Sequence, residues 1–226
     1  MKVISFSLWG NKPIYLVGAI RNVRQAQQIY PDFQCWFYVH EETVPKETIQ
    51  KLLEFNNVKI IYKTGDLSKI KPMMWRFEPL SNSEVDLFMS RDVDTKILLR
   101  EKLAVDEWLN SDFLLHIMRD HPWHNQPIQG GMFGIKKSNI NFIDQINLYV
   151  QNGNYNYDQT FLKDIIYPLY KDNCIIHASF HKLEGDKCKD FPIKHEQDDY
   201  RFVGEYVYED ESRNIQNIEE LKRGYL

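Results

Sequence analysis

The sequence predicts an α/β fold: one open, mixed but mainly parallel sheet of Rossmann-like type, flanked by helices. Three observations carry this. Short apolar runs rich in aromatic and β-branched residues alternate with segments whose apolar residues recur at helical spacing. The run "EVDLFMS" at 84–90 is almost continuously apolar, as in a strand covered on both faces. Asp92 and Asp94 follow directly, at the strand end where open α/β sheets bind their ligands.

The elements can be justified in order. Residues 2–8 read as a first strand, and "GAIRNVRQAQQIYP" then spaces Ile20, Val23, Ala26 and Ile29 as a helix does, until Pro31 stops it. "CWFYVH" (35–40) and "VKIIY" (58–62) are strands around a second helix in "PKETIQKLLEFNN", marked by Ile49, Leu52, Leu53 and Phe55. Met73 to Phe77 is expected to be helical, 84–90 a strand, and "REKLAVDEWLNS" (100–111) a helix. "FLLHIMRD" (113–120) and a glycine-bent "PIQGGMFGIKK" (127–137) follow as strands. Amphipathic helices near 139–151 and 158–170 and a short strand in "NCIIHASF" (173–180) complete the series. From residue 182 the chain is polar and charged, with "FVGEYV" (202–207) as a last strand candidate. We expect one domain over 1–226, with 182–226 a loosely packed carboxyl-terminal arm or lid.

Composition narrows the function. With 226 residues, 43% of them hydrophobic, the chain can build one large core. A formal net charge of −4 and the lack of a long basic run argue against nucleic acid as partner. Cys35, Cys174 and Cys188 are odd in number and form no Cys-x-x-Cys pair, so neither a disulfide framework nor a cysteine zinc site is indicated, and a reducing compartment fits. "MKVISFSLWG" is too short and too interrupted by Ser5 and Ser7 for a signal-peptide core or membrane span, so a cytoplasmic protein is expected.

The chemistry gathers at "SRDVDT". In an extended segment side chains at i and i+2 share a side, so Asp92 and Asp94 can converge on one cation, and paired carboxylates suit Mg²⁺ or Mn²⁺. A solvated turn explains a lone Asp-x-Asp equally well. Asp92-Val93-Asp94-Thr95 also matches the Asp-x-Asp-x-Thr signature of haloacid-dehalogenase-like phosphatases, in which the first aspartate is a nucleophile, and Gly185-Asp186 with Asp190 resembles their later element. Against this, strand candidates precede the pair, and the later element follows the polar "HKLEG" instead of a hydrophobic strand.

The wider pattern resembles nucleotide-sugar glycosyltransferases of GT-A fold, in particular small, mostly uncharacterised bacterial and viral ones. The resemblance spans most of the chain: "FSLWGNKPIYLVGAIRN", "MSRDVDTKILLREKLAVDEWLNS", "MRDHPWHNQPIQGGMFG", "YDQTFL", "IIHASF" and "FVGEYV". It implies a nucleotide-diphosphate sugar donor, UDP- or GDP-linked, a Mn²⁺ or Mg²⁺ ion bridging its phosphates, and a glycan or other hydroxyl acceptor. A non-catalytic nucleotide- or glycan-binding protein of the same fold is the alternative from another class.

The resemblance also implies residue roles. Asp94 would contact the metal directly, and Asp92 through water or at the ribose, with His177, equally readable as a hydrogen-bonded histidine at a strand end, as a further ligand and His181 a weaker substitute. Ser7, Leu8 and Trp9 fall where the nucleoside sits, and Tyr15, Arg21 and Asn22 would complete base, phosphate or ribose contacts, although Trp9 and Tyr15 are equally readable as core aromatics. Arg91, and after it Arg76, would pair with the diphosphate or with the acidic pair. Asp158 and Gln159 match an acidic site near donor and acceptor, where Asp158 would be the base of an inverting reaction, but Asp158 is also well placed as a helix N-cap. His121 would face the donor sugar or acceptor, since "HPWH" pairs it with His124 in a poor zinc pattern. Gly130 and Gly131 would admit substrate close to the backbone or simply bend a core strand.

Overall fold

The computed structural model describes residues 1–137, 140–152 and 157–225. Its framework is one eight-stranded sheet: β1 (Lys2–Leu8), β2 (Phe33–His40), β3 (Val58–Lys63), β4 (Leu87–Ser90), β5 (Leu115–Arg119), β6 (Phe133–Lys136), β7 (Cys174–Ala178) and β8 (Cys188–Lys189). The spatial order is β3-β2-β1-β4-β6-β5-β7-β8. Every neighbouring pair is parallel except the two made by β6, which runs antiparallel to β4 and β5. This is the mixed, mainly parallel α/β sheet expected from the sequence.

Side-chain alternation splits the core into two layers. On β1 and β2, Ile4, Phe6, Leu8, Cys35, Phe37 and Val39 face one way, onto α1 (Pro13–Ile29), α2 (Lys46–Leu53) and α3 (Leu99–Leu109). Val3, Trp36 and Tyr38 face the other way and pack with Met74 and Phe77 of a 3₁₀ helix (Pro72–Ser81), as do Ile146 of α4 (Ile143–Asn152) and Phe161 of α5 (Tyr157–Phe161). The chain runs on from α5 through a π-helical turn (Leu162–Ile166) into α6 (Tyr167–Tyr170). Helix α1 begins at Pro13, earlier than the apolar spacing suggests, because proline at the first helical position has its φ preset and lacks only an N–H that would be unpaired there. Residue 139, where the α4 helix was expected to begin, lies outside the described residues.

Two expectations change. The stretch 127–137 is not one bent strand: only Phe133–Lys136 pairs, and Gly130 and Gly131 lie in the turn before it. The carboxyl-terminal arm is not loose, for His195, Phe202, Val203, Glu205, Val207 and Leu221 are all buried. "FVGEYV" forms no strand but a turn with single bridges, Thr95 to Tyr206 and Val207 to Arg213. Gly204 supplies a φ of +80° and approaches Met132 so closely that a Cβ would lie 2.4 Å from its Sδ. The arm ends in α7 (Ile215–Arg223), capped by Asn214, whose Oδ1 accepts from Gln216 N at 2.9 Å and Asn217 N at 3.3 Å. Sequence reasoning missed α7, although Asn214 before the apolar spacing Ile215, Ile218, Leu221 is a readable start signal.

Candidate functional site

From β1 the chain steps to β2 and β3 on one side and later to β4 on the other, so the carboxyl ends of β1 and β4 border the topological switch point of the sheet. A pocket of about 370 Å³ opens there. Ser7, Leu8 and Trp9 line it from the end of β1, Asp92 to Thr95 from the loop after β4, and Tyr15 from α1. Met73 and Arg76 of the 3₁₀ helix and Gly204 and Tyr206 of the carboxyl-terminal arm close it. Ser7 also fixes the 3₁₀ helix, its Oγ accepting from the Arg76 backbone N–H at 3.0 Å.

The Asp92–Asp94 loop is braced from behind by α1. Gly18 lets helix and loop touch: a Cβ there would lie 2.1 Å from the Val93 carbonyl oxygen. Asn22 Nδ2 donates to Val93 O at 3.1 Å and Thr95 O at 2.9 Å. Arg21 donates to Asp94 O at 3.3 Å and to Val207 O at 3.2 Å, stitching the carboxyl-terminal arm to the loop. Arg21 and Asn22 thus hold the site together and do not line the pocket, unlike Ser7, Leu8, Trp9 and Tyr15.

Arg76 is the cation at the centre. Its Nη1 pairs with Asp92 Oδ1, and its Nη2 donates to Asp158 Oδ2 at 3.0 Å. Asp158 is 2% exposed, and its Oδ1 makes no hydrogen bond. The two glycines make room for this network: a Cβ on Gly131 would lie 2.0 Å from Asp92 Oδ2, and one on Gly130 2.5 Å from Arg76 Nη2. With its amide oriented to suit its neighbours, Gln159 donates to Ile128 O at 2.9 Å and accepts from Gly130 N at 3.0 Å, pinning the same turn to α5.

Asp94 differs from its neighbour. Burial and the nearby Asp92 carboxylate raise its pKa to about 6, against a smaller pull from Arg76 and Arg21. A carboxylate that is partly buried and poorly compensated is one that a cation would stabilise. Among the described residues no group of three or more His, Cys, Asp or Glu side chains is placed to hold a metal. Two carboxylates on one pocket nevertheless fit Mg²⁺ or Mn²⁺ when phosphate oxygens and water supply the other positions, which is how such ions sit at phosphate-binding sites.

Other candidates lie apart from the pocket. Arg91, adjacent to the pair, turns inward to Glu101 at 2.9 Å and to the Ser90 and Phe133 carbonyls, so Arg76 takes the place expected for it. His177 shares the α3 side of β7, opposite Ile176 and Ala178, and its ring nitrogens meet His116 at 2.9 Å and Glu107 at 3.3 Å. It is not among the residues that line the pocket of Asp92 and Asp94. His181 is held by the Pro122 carbonyl oxygen at 2.5 Å. His121 accepts from Trp123 N at 3.2 Å and so donates to Asn217 O at 2.9 Å, tying α7 down. Asp186 and Asp190, the phosphatase-like element, flank β8 at the far edge of the sheet, with Asp190 exposed and paired to Lys182. Tyr206 and Gly204 were not singled out individually as site residues, because only the folded arm brings them to the pocket.

No family model and no curated protein matches the chain. Solved structures align with it at low identity. A glycosyltransferase involved in glycosylating the major capsid of the virus PBCV-1 aligns at 13% identity and TM-score 0.46, over 78% of this chain and 80% of that one. The galactosyltransferase LgtC, in complex with donor and acceptor sugar analogues, aligns at 14% and 0.49, over 78% and 73%. The 4-diphosphocytidyl-2C-methyl-D-erythritol synthase of Anaerococcus prevotii aligns at 10% and 0.49, over 80% and 89%. At this distance the chemistry of the pocket is read from its own residues.

Proposed function

We propose that the chain is a metal-dependent glycosyltransferase that moves a sugar from a nucleoside-diphosphate sugar to a hydroxyl acceptor. The observation that carries the reading is the pair Asp92 and Asp94 on one pocket at the β1–β4 switch point, beside Arg76 and the aromatic side chains Trp9 and Tyr15. Trp9, Tyr15 and Leu8 offer apolar surface to a nucleobase. Asp94 is the better direct ligand of Mn²⁺ or Mg²⁺, because Asp92 already has Arg76 as its counter-charge.

In transfer, the bond between the anomeric carbon and the diphosphate oxygen breaks, its electron pair leaving with the nucleoside diphosphate, while the acceptor oxygen bonds to that carbon. A bound divalent ion stabilises the charge on the departing diphosphate as a Lewis acid. Arg76, its charge already shared between Asp92 and Asp158, holds these two carboxylates in place. Asp158, with one oxygen held by Arg76 and the other unpaired, is the group to orient the acceptor hydroxyl or, in an inverting reaction, to take its proton.

Melting temperature measured with UDP, GDP, CMP or dTDP, each with and without Mn²⁺, tests the site, because a ligand that prefers the folded state raises the transition. A rise that needs one nucleotide and Mn²⁺ together, and that disappears in Asp94→Ala, is expected. If no pair of nucleotide and metal moves the transition, the donor site is wrong.

A further inference from the structure

A second cleft, of about 490 Å³, lies between the turn after β5 and the start of α5, lined by Trp123, Asn125, Gln126, Gln129, Gln159, Thr160 and Lys163. Its size falls in the range of roughly 300–1,000 Å³ usual for small-molecule sites. Trp123 is 51% exposed, uncommon for so large an aromatic surface, yet it is not free to wander. Its backbone N–H donates to His121 Nδ1 at 3.2 Å, and its ring meets the His121 ring edge-on at 5.1 Å.

The polar side of the cleft is equally fixed. The Gln129 side-chain oxygen accepts from Gln126 N at 3.1 Å and Asn125 N at 3.2 Å, and Gln159 is pinned to Ile128 and Gly130. Four carboxamides and a hydroxyl present neutral donors and acceptors side by side, Lys163 adds one ammonium group, and among the described residues no carboxylate lines the cleft. An exposed indole face beside carboxamides matches a ligand with one C–H face and a rim of neighbouring hydroxyls. It does not match a cation, which needs carboxylates, or an apolar peptide, which needs continuous apolar surface.

The cleft also abuts the first pocket. Gly130, Asp158 and Gln159 form the partition, since a Cβ on Gly130 would lie within 3.0 Å of Arg76, Gln159 and Asp158 alike.

We propose that this cleft binds a neutral pyranose, with Trp123 as its stacking platform, and that it is the acceptor subsite, a role that rests on the transfer reading above. Sugar binding itself does not depend on that reading. Preorganised side chains lose little freedom on binding, which suits a weakly held acceptor.

Saturation-transfer NMR tests it, with the methyl glycosides of glucose, galactose, mannose and xylose, lactose, maltose and the charged control glucuronate. Wild type, Trp123→Ala and Gln129→Ala are compared, all checked for an unchanged melting transition. At least one neutral pyranoside is expected to receive saturation through its ring C–H protons, with affinity falling at least about fivefold in Trp123→Ala. The Mn²⁺-dependent nucleotide shift should be the same in Trp123→Ala as in wild type. Absence of neutral-sugar binding, binding indifferent to Trp123, or binding of glucuronate alone would overturn the proposal. Trp123-dependent sugar binding in a protein that ignores every nucleotide would keep the cleft and remove the transfer reading.

Discussion

Arg76 donates from Nη2 to Asp158 Oδ2 at 3.0 Å while its other terminal nitrogen holds Asp92, so one guanidinium ties the candidate metal loop to the candidate base. Side chains of Arg76 and Asp158 are 5% and 3% exposed. Removing one partner of a buried pair leaves the other charge stranded, at a cost of about 3–5 kcal/mol. Arg76→Ala should therefore lower the melting temperature markedly and abolish transfer. Asp158→Asn keeps the shape and one acceptor oxygen, so it should fold, retain the nucleotide and Mn²⁺ shift, and lose roughly 10²–10⁴-fold in kcat if Asp158 takes the proton. Unchanged kcat in that variant would assign Asp158 to structure.

Asp94 makes a separate prediction for the protein without metal. Its folded pKa, about 6, lies above the unfolded value, so the folded state binds the extra proton, and this group adds stability as pH falls from about 6 toward 4. At pH 7 its charge is a burden on the metal-free fold. Asp94→Asn should thus melt no lower than wild type in EDTA at pH 7, yet lose the Mn²⁺-dependent shift. A large drop in melting temperature in EDTA would mean that the carboxylate has a structural partner.

Gly131 is a steric requirement for Asp92. In Gly131→Ala the new methyl would overlap Asp92 Oδ2 at 2.0 Å, so the carboxylate must move. Forced overpacking of this kind costs about 1–3 kcal/mol, and loss of nucleotide and Mn²⁺ response should accompany it. Full response with wild-type stability would show that the turn can shift without harm.

Stability should fall in acid for two reasons with the same sign. Burial pushes the Asp120 carboxyl up, but the His195 ring beside it and the hydrogen bonds from Arg100 outweigh it and hold the pKa down to about 2, so its contribution is present above the unfolded value and is lost as pH falls from about 4 toward 2. His116, 1% exposed, is held well below the usual histidine range by burial, then by His177 and Arg91; the unfolded chain takes up that proton below about pH 6.5 while the folded one does not. From about pH 6.5 to pH 4 the His116 loss is opposed by the gain from Asp94, and below about pH 4 the Asp120 loss sets in, so the melting temperature should fall from pH 4 to pH 3. A melting temperature that does not fall below pH 4 would contradict the Asp120 assignment.

Much of the fold is legible along the chain. Alternating apolar patterns mark β1 to β5, β7 and the helices α1 to α4, because each pattern is set by neighbours within a few residues. The Asp92–Asp94 pair and its place at a strand end are local for the same reason, as are Ser7, Leu8 and Trp9 at the end of β1. The first part of the bent strand expected at 127–137 is a turn because Gly130 and Gly131 answer to Arg76 and Asp92, not to their neighbours in sequence.

What the tertiary structure alone decided is which distant groups meet. Arg76 and Asp158 stand 82 residues apart in sequence, and the burial of both made their pairing the centre of the site in place of Arg91, whose charge Glu101 absorbs. His177 does not line the pocket, its ring nitrogens being taken by His116 and by Glu107 of α3. Tyr206 and Gly204 entered it because Arg21 bonds the folded arm to the Asp94 loop. Spacing determines which side chains share a face of one element; the choice of partner across elements follows from packing and charge compensation, which exist only once the chain is folded.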